Sequence, residues 1–356
     1  MGALVADLIE LGLVDEVVPT GGSRVGRPSH VVGPHTAGPY VVAVDIEVTQ
    51  VVTAAVGIGG AVLARRVMAT GAEASVPEVV ARIVVDSMED VSKATGRASP
   101  PLGIGVSVPG TVDRLTGRVA VAPNLDWHDV AFGGLLADLL PRGMTVAVGN
   151  DADLSVLAEH RRGGVRDVDE VVFLLGRVGV GAGIITNGLP LRGVDGYAGE
   201  IGHNVVDANG PACHCGKAGC VETYIGEGAL LRRAGRPQPP TDESTAAVFA
   251  DARRGDACAL AAVRAVADSL GRTLASLVNT LNPQRVMLGG YLSDLLDIAR
   301  PEIELALKEH ALEAPGQHVQ LVQPSFGPDS ALLGAAELAF AALLADPLAT
   351  TPAIPV

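Results

Sequence analysis

The pattern of apolar and polar residues predicts an α/β chain. Residues 40–45 form an apolar run that ends in an aspartate, and two further apolar segments follow at 50–56 and 61–67. Short runs rich in β-branched residues are typical of strands, so we expect a three-stranded meander. A helix is predicted at about 75–95 and a buried strand at 102–108.

The second part of the chain repeats this alternation. A short apolar strand that ends at Val148 leads into a predicted helix at 152–160. A proline-rich stretch at 232–244 interrupts the apolar pattern and predicts a surface loop. Three more strands and a final helix are predicted at 171–175, 183–186, 286–288 and 330–345. We expect the final helix to pack on the first part of the chain.

The N-terminal residues carry a different pattern. Residues 2–12 keep an apolar helical face and end at a glycine, and a strand, a polar loop and a second strand follow over 14–32. A helix followed by a two-stranded ribbon with arginines at its tip is the back half of a winged helix-turn-helix. Residues 33–39, rich in glycine and proline, are predicted to form a linker.

Composition sets further bounds. With 356 residues, 48% of them hydrophobic and only 3% aromatic, the chain can build two lobes with aliphatic cores and a small extra module. We find no apolar stretch long enough to span a bilayer and no signal pattern, so we expect a cytoplasmic protein without membrane contact. The net charge of −14 disfavours non-specific nucleic-acid binding, so any DNA contact needs a local patch.

Three of the four cysteines lie within one short run, ten residues after a histidine. Thiolates at this density, with glycines that let the backbone turn between them, suit a closed tetrahedral zinc site. The predicted ligands are His203, Cys213, Cys215 and Cys220, whereas His214 is less suitable because it lies between two ligands. Four protein ligands leave no position for water, so this zinc would be structural. The alternative is a group of small buried thiols.

The same region resembles the signature of a known family. The segment G-E-I-G-H at 199–203, followed by C-x-C-G-x-x-G-C-x-E, is similar to the motif of the ROK family of bacterial sugar kinases, sugar-responsive repressors and related open reading frames. The resemblance extends from about residue 8 to about residue 342. It implies a duplicated ribonuclease H-like fold of the actin and hexokinase type, with two lobes and a cleft. The regulator branch, with xylose- and N-acetylglucosamine-responsive repressors, is the most similar.

The domain boundaries follow from this resemblance and from the predicted elements. Residues 1–34 are expected to form a partial winged helix-turn-helix. The first lobe is expected at 39–149, joined by the final helix at 330–345. The second lobe is expected at 150–329, and it contains the predicted zinc loop at 203–222.

The resemblance implies a sugar site where a strand ends and a helix begins. Asp151 resembles the family's catalytic base, which accepts a proton from a sugar hydroxyl. Asn150 resembles its neighbouring hydroxyl contact. The alternative is that Asn150 or Asp151 only caps the helix. The other residues that resemble sugar contacts of the family are Asn124, Glu200, His203 and Glu222. We call this set the sugar side of the cleft.

The turns that hold ATP phosphates in family kinases are altered here. Those kinases carry Asp-x-Gly-Gly-Thr after the first strand, whereas residues 45–49 read D-I-E-V-T, without either glycine. Their second turn, Gly-Thr-Gly-x-Gly, corresponds to 177–181, where Val178 replaces the threonine. We call these two turns the phosphate side.

Backbone N–H groups reach phosphates where glycines let a turn approach closely. Because the phosphate side lost these features, we expect a sugar sensor that no longer phosphorylates. The alternative is a glucokinase-like sugar kinase that uses ATP and Mg²⁺, with Asp151 as its general base.

The loop of the N-terminal ribbon contains Arg24, Gly26 and Arg27. These residues resemble a hook with which family regulators place arginines in a narrow A·T-rich minor groove. The alternative is an ordinary polar hairpin loop. In family regulators two more helices precede this segment, so we expect either a start codon placed too far downstream or a broken module.

The implied function is therefore an operator-binding regulator, homodimeric or homotetrameric, whose DNA affinity is modulated by a sugar. A sugar-binding protein without DNA contact is a third possibility. The identity of the sugar, the operator sequence and the choice between inducer and co-repressor stay open.

Overall fold

The computed structural model describes residues 2–17 and 31–350. Within them the strands are β1 (Val14–Val17), β2 (Val31–Pro34), β3 (Tyr40–Ile46), β4 (Gln50–Gly57), β5 (Val62–Ala69), β6 (Gly103–Val108), β7 (Thr111–Asp113), β8 (Arg118–Ala122), β9 (Trp127–Val130), β10 (Thr145–Asn150), β11 (Val171–Gly176), β12 (Val180–Thr186), β13 (Leu189–Pro190), β14 (Arg285–Gly290) and β15 (Gln320–Val322).

The α-helices of the described residues surround these strands. They are α1 (Gly2–Glu10), α2 (Pro77–Ala94), α3 (Phe132–Leu139), α4 (Asp151–Arg161), α5 (Glu222–Ile225), α6 (Glu227–Arg233), α7 (Asp242–Arg253), α8 (Ala257–Leu281), α9 (Tyr291–His310), α10 (Glu313–His318), α11 (Ser330–Ala345) and α12 (Pro347–Thr350).

The first five-stranded sheet has the strand order β10-β6-β3-β4-β5. Strand β3 pairs antiparallel with β4 and parallel with β6. Its seven residues are all buried because α2 covers one face of the sheet and α11 the other. Val42 and Val44 pack in the cluster with α2, whereas Val41 and Ala43 pack in the cluster with α11. Burial on both faces explains why this strand is a continuous apolar run.

The second five-stranded sheet repeats the first. Its order is β13-β12-β11-β14-β15, with β11 antiparallel to β12 and parallel to β14. In both sheets three antiparallel strands lead into two strands that run parallel to the first. This repeat is the duplicated ribonuclease H-like architecture expected from the sequence, so the predicted fold class is confirmed.

Helix α4 lies between the two sheets and contacts both. Leu154 and Leu157 pack in the apolar cluster of the first sheet, together with α11. Ala152 and Val156 pack with Phe173 in a cluster of the second sheet. The N-terminus of α4 is therefore held between the lobes, and it carries Asp151.

Helix α11 is strongly apolar along its whole length. By length and composition, Gly327–Ala345 is the one candidate for a membrane span among the described residues, which corrects the expectation that there is none. However, 61% of its apolar window is buried inside the protein. Its Glu337 lies 3.4 Å from Arg161 and also pairs with Arg162, both on or next to α4. The helix is therefore part of the protein core.

The N-terminal segment packs on the first lobe. Strands β1 and β2 pair antiparallel, with Val17 opposite Val31. Strand β2 ends at Pro34, so the connecting segment begins later than the predicted linker at 33–39. Leu13 is buried in the cluster that contains α11. The predicted wing residues, Arg24, Gly26 and Arg27, lie outside the described residues.

Candidate functional site

The end of β10 and the start of α4 form one edge of the candidate site. The Asn150 side-chain oxygen accepts hydrogen bonds from the backbone N–H groups of Ala152 and Asp153, at 2.9 and 3.1 Å. Its amide nitrogen donates to the Gly110 carbonyl at 2.9 Å. Asn150 thus caps α4, which is the alternative role that the sequence predicted for it. Its contact with a sugar hydroxyl stays a prediction.

Asp151 is the first residue of α4, and only 7% of it is exposed. Burial raises the pKa of its carboxyl group to about 6, Arg177 opposes this rise, and Asp45 adds to it. Burial likewise raises the pKa of Asp153, two residues further along α4, to about 7, while Arg114 opposes the rise. The start of α4 therefore presents two carboxyl groups that take up protons far above the usual range for aspartate.

The start of β12 forms the floor of the site. A Cβ atom added at Gly179 would lie 2.6 Å from a carboxylate oxygen of Glu222 and 3.4 Å from the amide nitrogen of Asn124. A Cβ at Gly181 would lie 4.0 Å from a carboxylate oxygen of Asp151. The structure thus brings Asn124, Asp151 and Glu222 together over a strand that glycines keep open.

The backbone also holds Glu222 in place. One of its carboxylate oxygens accepts a hydrogen bond from the Val180 N–H at 3.1 Å. The other lies 3.5 Å from the Cys213 sulfur. Glu222 therefore connects the floor of the site to the cysteine run.

The cysteine run folds into a compact cluster with His203. The ligand atoms of His203, Cys213, Cys215 and Cys220 all lie within 4.8 Å of one another. The sulfurs of Cys215 and Cys220 are 3.7 Å apart, and His203 Nδ1 is 3.7 Å from the Cys213 sulfur. A tetrahedral ion with bonds of about 2.3 Å separates its sulfur ligands by about 3.8 Å. The four side chains can therefore hold a metal ion.

The glycines of this loop have a steric role. Gly219 has a φ of 68°, and a Cβ atom there would overlap the Asp207 carbonyl oxygen. Only glycine allows the chain to turn so closely before Cys220.

The metal cluster adjoins the sugar side through two carboxylates. His203 Nε2 lies 3.9 Å from a carboxylate oxygen of Glu200, so Nδ1 stays free for a metal ion. Burial raises the pKa of Glu200, and His203 opposes that rise. Together with the contact between Cys213 and Glu222, this arrangement couples the position of two predicted sugar contacts to the cluster.

The phosphate side contains an ion pair that the sequence did not predict. Arg177 Nη2 donates a hydrogen bond to Asp45 at 2.8 Å and lies 3.6 Å from a carboxylate oxygen of Glu47. The Ser107 hydroxyl donates to the other Asp45 oxygen at 2.7 Å. Burial alone would lower the pKa of the Arg177 guanidinium, but the carboxylates of Asp45 and Asp151 outweigh it and raise that pKa.

A signal for this pair was present in the sequence. Arg177 stands where the family kinases have the first glycine of the second phosphate turn, opposite an aspartate retained in the first turn. An arginine that enters a site beside a buried aspartate is a candidate ion pair. The prediction from the sequence rests only on the missing glycines and on Val178.

The two sheets and the cleft define a two-lobed protein of the actin and hexokinase type. Beside the cleft, a cluster of one histidine and three cysteines can hold a metal ion. The chain belongs to the ROK family, whose sequence profile matches residues 41–342. The family resemblance predicted from the sequence is therefore confirmed.

Relatives of two kinds are similar to this chain. It is 30% identical over 281 residues to the putative xylose repressor of Caldicellulosiruptor sp. (strain Rt8B.4), covering 74% of this chain and 70% of the repressor. It is 33% identical over 275 residues to the glucokinase of Thermotoga maritima, covering 73% of this chain and 85% of the glucokinase. A solved ROK family transcriptional regulator, a homolog of the E. coli MLC protein, has a TM-score of 0.78 and 26% identity, covering 96% of this chain and 87% of that one.

Proposed function

We propose that this protein is a sugar-responsive transcriptional regulator that binds a sugar in its cleft and does not phosphorylate it. The observation that carries this proposal is the ion pair between Arg177 and Asp45 on the phosphate side. Both turns that would hold ATP phosphates contribute to it, and Glu47 adds another carboxylate beside it. Anionic phosphates would meet these carboxylates in a partly buried cleft, where like charges repel more strongly than in water.

On the sugar side, the proposed ligand contacts are Asn124, Asn150, Asp151, Glu200, His203 and Glu222. Their support is the convergence of Asn124, Asp151 and Glu222 around Gly179 and Gly181. Polyols need several acceptors and donors at fixed positions, and this arrangement supplies them.

We further propose that the metal cluster holds structural zinc through His203, Cys213, Cys215 and Cys220. The sulfur-rich ligand set and the 3.7 Å separation of two sulfurs support this choice. A bound zinc ion would hold the loop in one conformation. His203 and Glu222 would then keep fixed positions toward the sugar.

One observation favours the second candidate, an ATP-dependent sugar kinase. The pKa of Asp151 is raised to about 6, and a general base works best when its pKa lies near the working pH. The similarity to a glucokinase agrees with this alternative.

A pair of measurements separates the two functions. A thermal-shift screen with neutral sugars and sugar phosphates should identify a ligand, because a molecule that binds only the folded state raises the melting temperature. The same sugars, incubated with Mg²⁺ and ATP, should give no ADP above background. Turnover with any hexose that binds would establish the kinase instead.

If its N-terminal DNA-binding module is complete, the proposed partner of the regulator is operator DNA, contacted by Arg24, Gly26 and Arg27 of a homodimer or homotetramer in the cytoplasm. Sugar binding would change the affinity for DNA by favouring one state of the cleft. Gel shifts with fragments upstream of the protein's own gene, with and without the sugar, test this proposal. A DNA-free sugar-binding protein would retard none of the fragments.

A further inference from the structure

The pair between Arg177 and Asp45 joins the two lobes. Asp45 lies in β3 of the first sheet, and Arg177 follows β11 of the second sheet. Only 2% of the Asp45 side chain and 23% of the Arg177 side chain are exposed. An ion pair shielded from water in this way resists screening by salt better than a surface pair does. It is therefore suited to hold the phosphate side of the cleft closed.

The position of the pair is where a nucleotide would have to enter. Asp45 belongs to the first phosphate turn, and Arg177 takes the place of a glycine in the second. The Arg177 guanidinium reaches from the second phosphate turn to Asp45 in the first, so it lies between the backbones of the two turns. Entry of phosphates would have to separate this buried pair, and the free energy needed to break it opposes an opening of the phosphate side.

Arg177 also has an unused hydrogen-bond donor. Within the described residues, Nη1 of Arg177 is buried and has no hydrogen-bond partner. The Arg177 backbone N–H donates a hydrogen bond to the Gly179 carbonyl at 2.9 Å, and Gly179 lies against Asn124 and Glu222, so Arg177 adjoins the sugar side. Its positive charge also opposes the rise in the pKa of the Asp151 carboxyl group. A buried donor of this kind is normally satisfied by a partner or by a ligand.

We propose that Arg177 replaces the nucleotide in this cleft: it closes the phosphate side through Asp45, excludes ATP, and donates Nη1–H to the sugar oxygen that faces Asp151. The ligand class that fits is a neutral sugar, because the two carboxylates of Asp45 and Glu47 outnumber the one positive charge of Arg177 and disfavour an anionic ligand. This inference rests on the proposed function, since it assumes that a sugar binds and that ATP does not.

Nucleotide binding provides the first test. Isothermal titration with Mg²⁺ and a non-hydrolysable ATP analogue should show no binding to the wild type. The double variant Arg177→Gly/Glu47→Gly should bind the analogue with an affinity at least about tenfold above the detection limit of the titration. Equal affinity of the two proteins for the analogue would overturn the proposal.

Sugar binding provides the second test. Arg177→Lys keeps the positive charge beside Asp45 but lacks the planar fork that provides Nη1, so it should still exclude the analogue. Its affinity for the sugar found in the screen should fall about tenfold, as expected for one lost buried hydrogen bond. Unchanged sugar affinity would refute the contact through Nη1. Arg177→Gln, which keeps the aliphatic stem but removes the guanidinium charge, replaces the glycine variant if that protein does not fold.

Hydrogen exchange measures the closure itself. In Arg177→Gly, the amides of residues 45–50 and 176–180 should exchange about tenfold faster than in the wild type. As a control, Arg65→Ala removes an ion pair with a similar distance between nitrogen and oxygen, 2.7 Å from Arg65 to Asp329. This variant should leave the exchange rates of those amides unchanged. Phosphorylation of a hexose by the wild type would refute the proposed function. A wild type without kinase activity, together with variants that behave like it, would refute only the role of Arg177.

Discussion

The sugar side and the phosphate side of the cleft differ in how their charged groups are satisfied. Asp151, on the sugar side, is buried, and within the part of the chain that the structure describes its carboxylate accepts only a local hydrogen bond, from the backbone of Ala152. Asp45, on the phosphate side, is equally buried, but Arg177 and Ser107 both donate to it. Buried polar groups are normally paired inside the protein unless a ligand completes them. The carboxylate of Asp151 therefore keeps acceptor capacity for a ligand, whereas the carboxylate of Asp45 is already paired inside the protein.

The supports of the two sides differ as well. The sugar side is held by a loop with four potential metal ligands, one of which contacts Glu222 directly. Within the described residues, the phosphate side is held by one arginine, Arg177, which pairs with Asp45 and Glu47 of the other lobe. We therefore expect the metal loop to affect sugar binding more strongly than any change on the phosphate side.

The largest effect is expected from loss of the metal. Cys220→Ser should remove a ligand, lower the bound zinc to well below one ion per chain, and abolish measurable sugar binding, since Glu200 and Glu222 lose their fixed positions. Metal analysis and titration with the sugar measure both outcomes. The control is Cys258→Ser, because this cysteine is exposed and lies outside the cluster. Wild-type affinity in Cys220→Ser would show that the sugar side does not depend on the loop.

Asp151→Asn should show opposite effects on binding and on stability. Loss of a charged hydrogen-bond acceptor should weaken sugar binding by about 10- to 100-fold. The folded-state pKa of about 6 lies above the ordinary 3.8, so the wild type loses stability as the pH rises through 6. The asparagine variant has no carboxyl group to ionise at this position, so its stability does not fall for this reason as the pH rises. At pH 8 the variant should therefore be more stable than the wild type by up to about 3 kcal/mol, with little difference at pH 4.

Denaturant unfolding at several pH values measures this difference. The charged groups that act on Asp151 are Arg177, Asp45 and Glu200, and Asp153 titrates nearby with its own raised pKa. Comparison at each pH cancels the contributions that both proteins share. Glu89→Gln, which changes an exposed carboxylate on α2, should show no such pH-dependent gain. A variant less stable than the wild type at pH 8 would contradict the burial argument.

Much of the fold was predictable because long, strongly patterned segments dominate it. Strand β3 was expected from its continuous apolar run, and α11 from its position and composition. The small sheet β7-β8-β9 was missed, because three- to five-residue strands leave almost no periodic signal.

The candidate site was predictable to a different degree on its two sides. The cysteine spacing indicated the metal cluster directly, because sulfur ligands close in sequence can meet without a long-range fold. The pair between Arg177 and Asp45 joins residues 132 positions apart. Its formation depends on how the two lobes pack, and no local pattern reports that. The same holds for the raised pKa of Asp153, which results from burial.

Gly179→Ala should produce a smaller effect, confined to the sugar side. The added methyl group would lie 2.6 Å from a carboxylate oxygen of Glu222, so that carboxylate must move away from its position. Sugar affinity should fall about tenfold, while stability should fall by about 1 kcal/mol. Gly134→Ala is the matched control, since a Cβ atom there meets nothing within 4 Å and α3 favours alanine. Equal sugar affinity in the two variants would argue against Glu222 as a contact.

The smallest effect is expected from Glu47→Gly, which restores one glycine of the first phosphate turn. Glu47 lies 3.6 Å from Arg177 and is partly exposed, so its removal should change the free energy of unfolding by less than about 1 kcal/mol. Sugar affinity should stay within about twofold of wild type. Because Arg177 still joins Asp45, the single variant should not gain binding of the ATP analogue in a titration. If it did bind the analogue, charge repulsion by Glu47 alone, and not the arginine, would keep nucleotide out of the cleft.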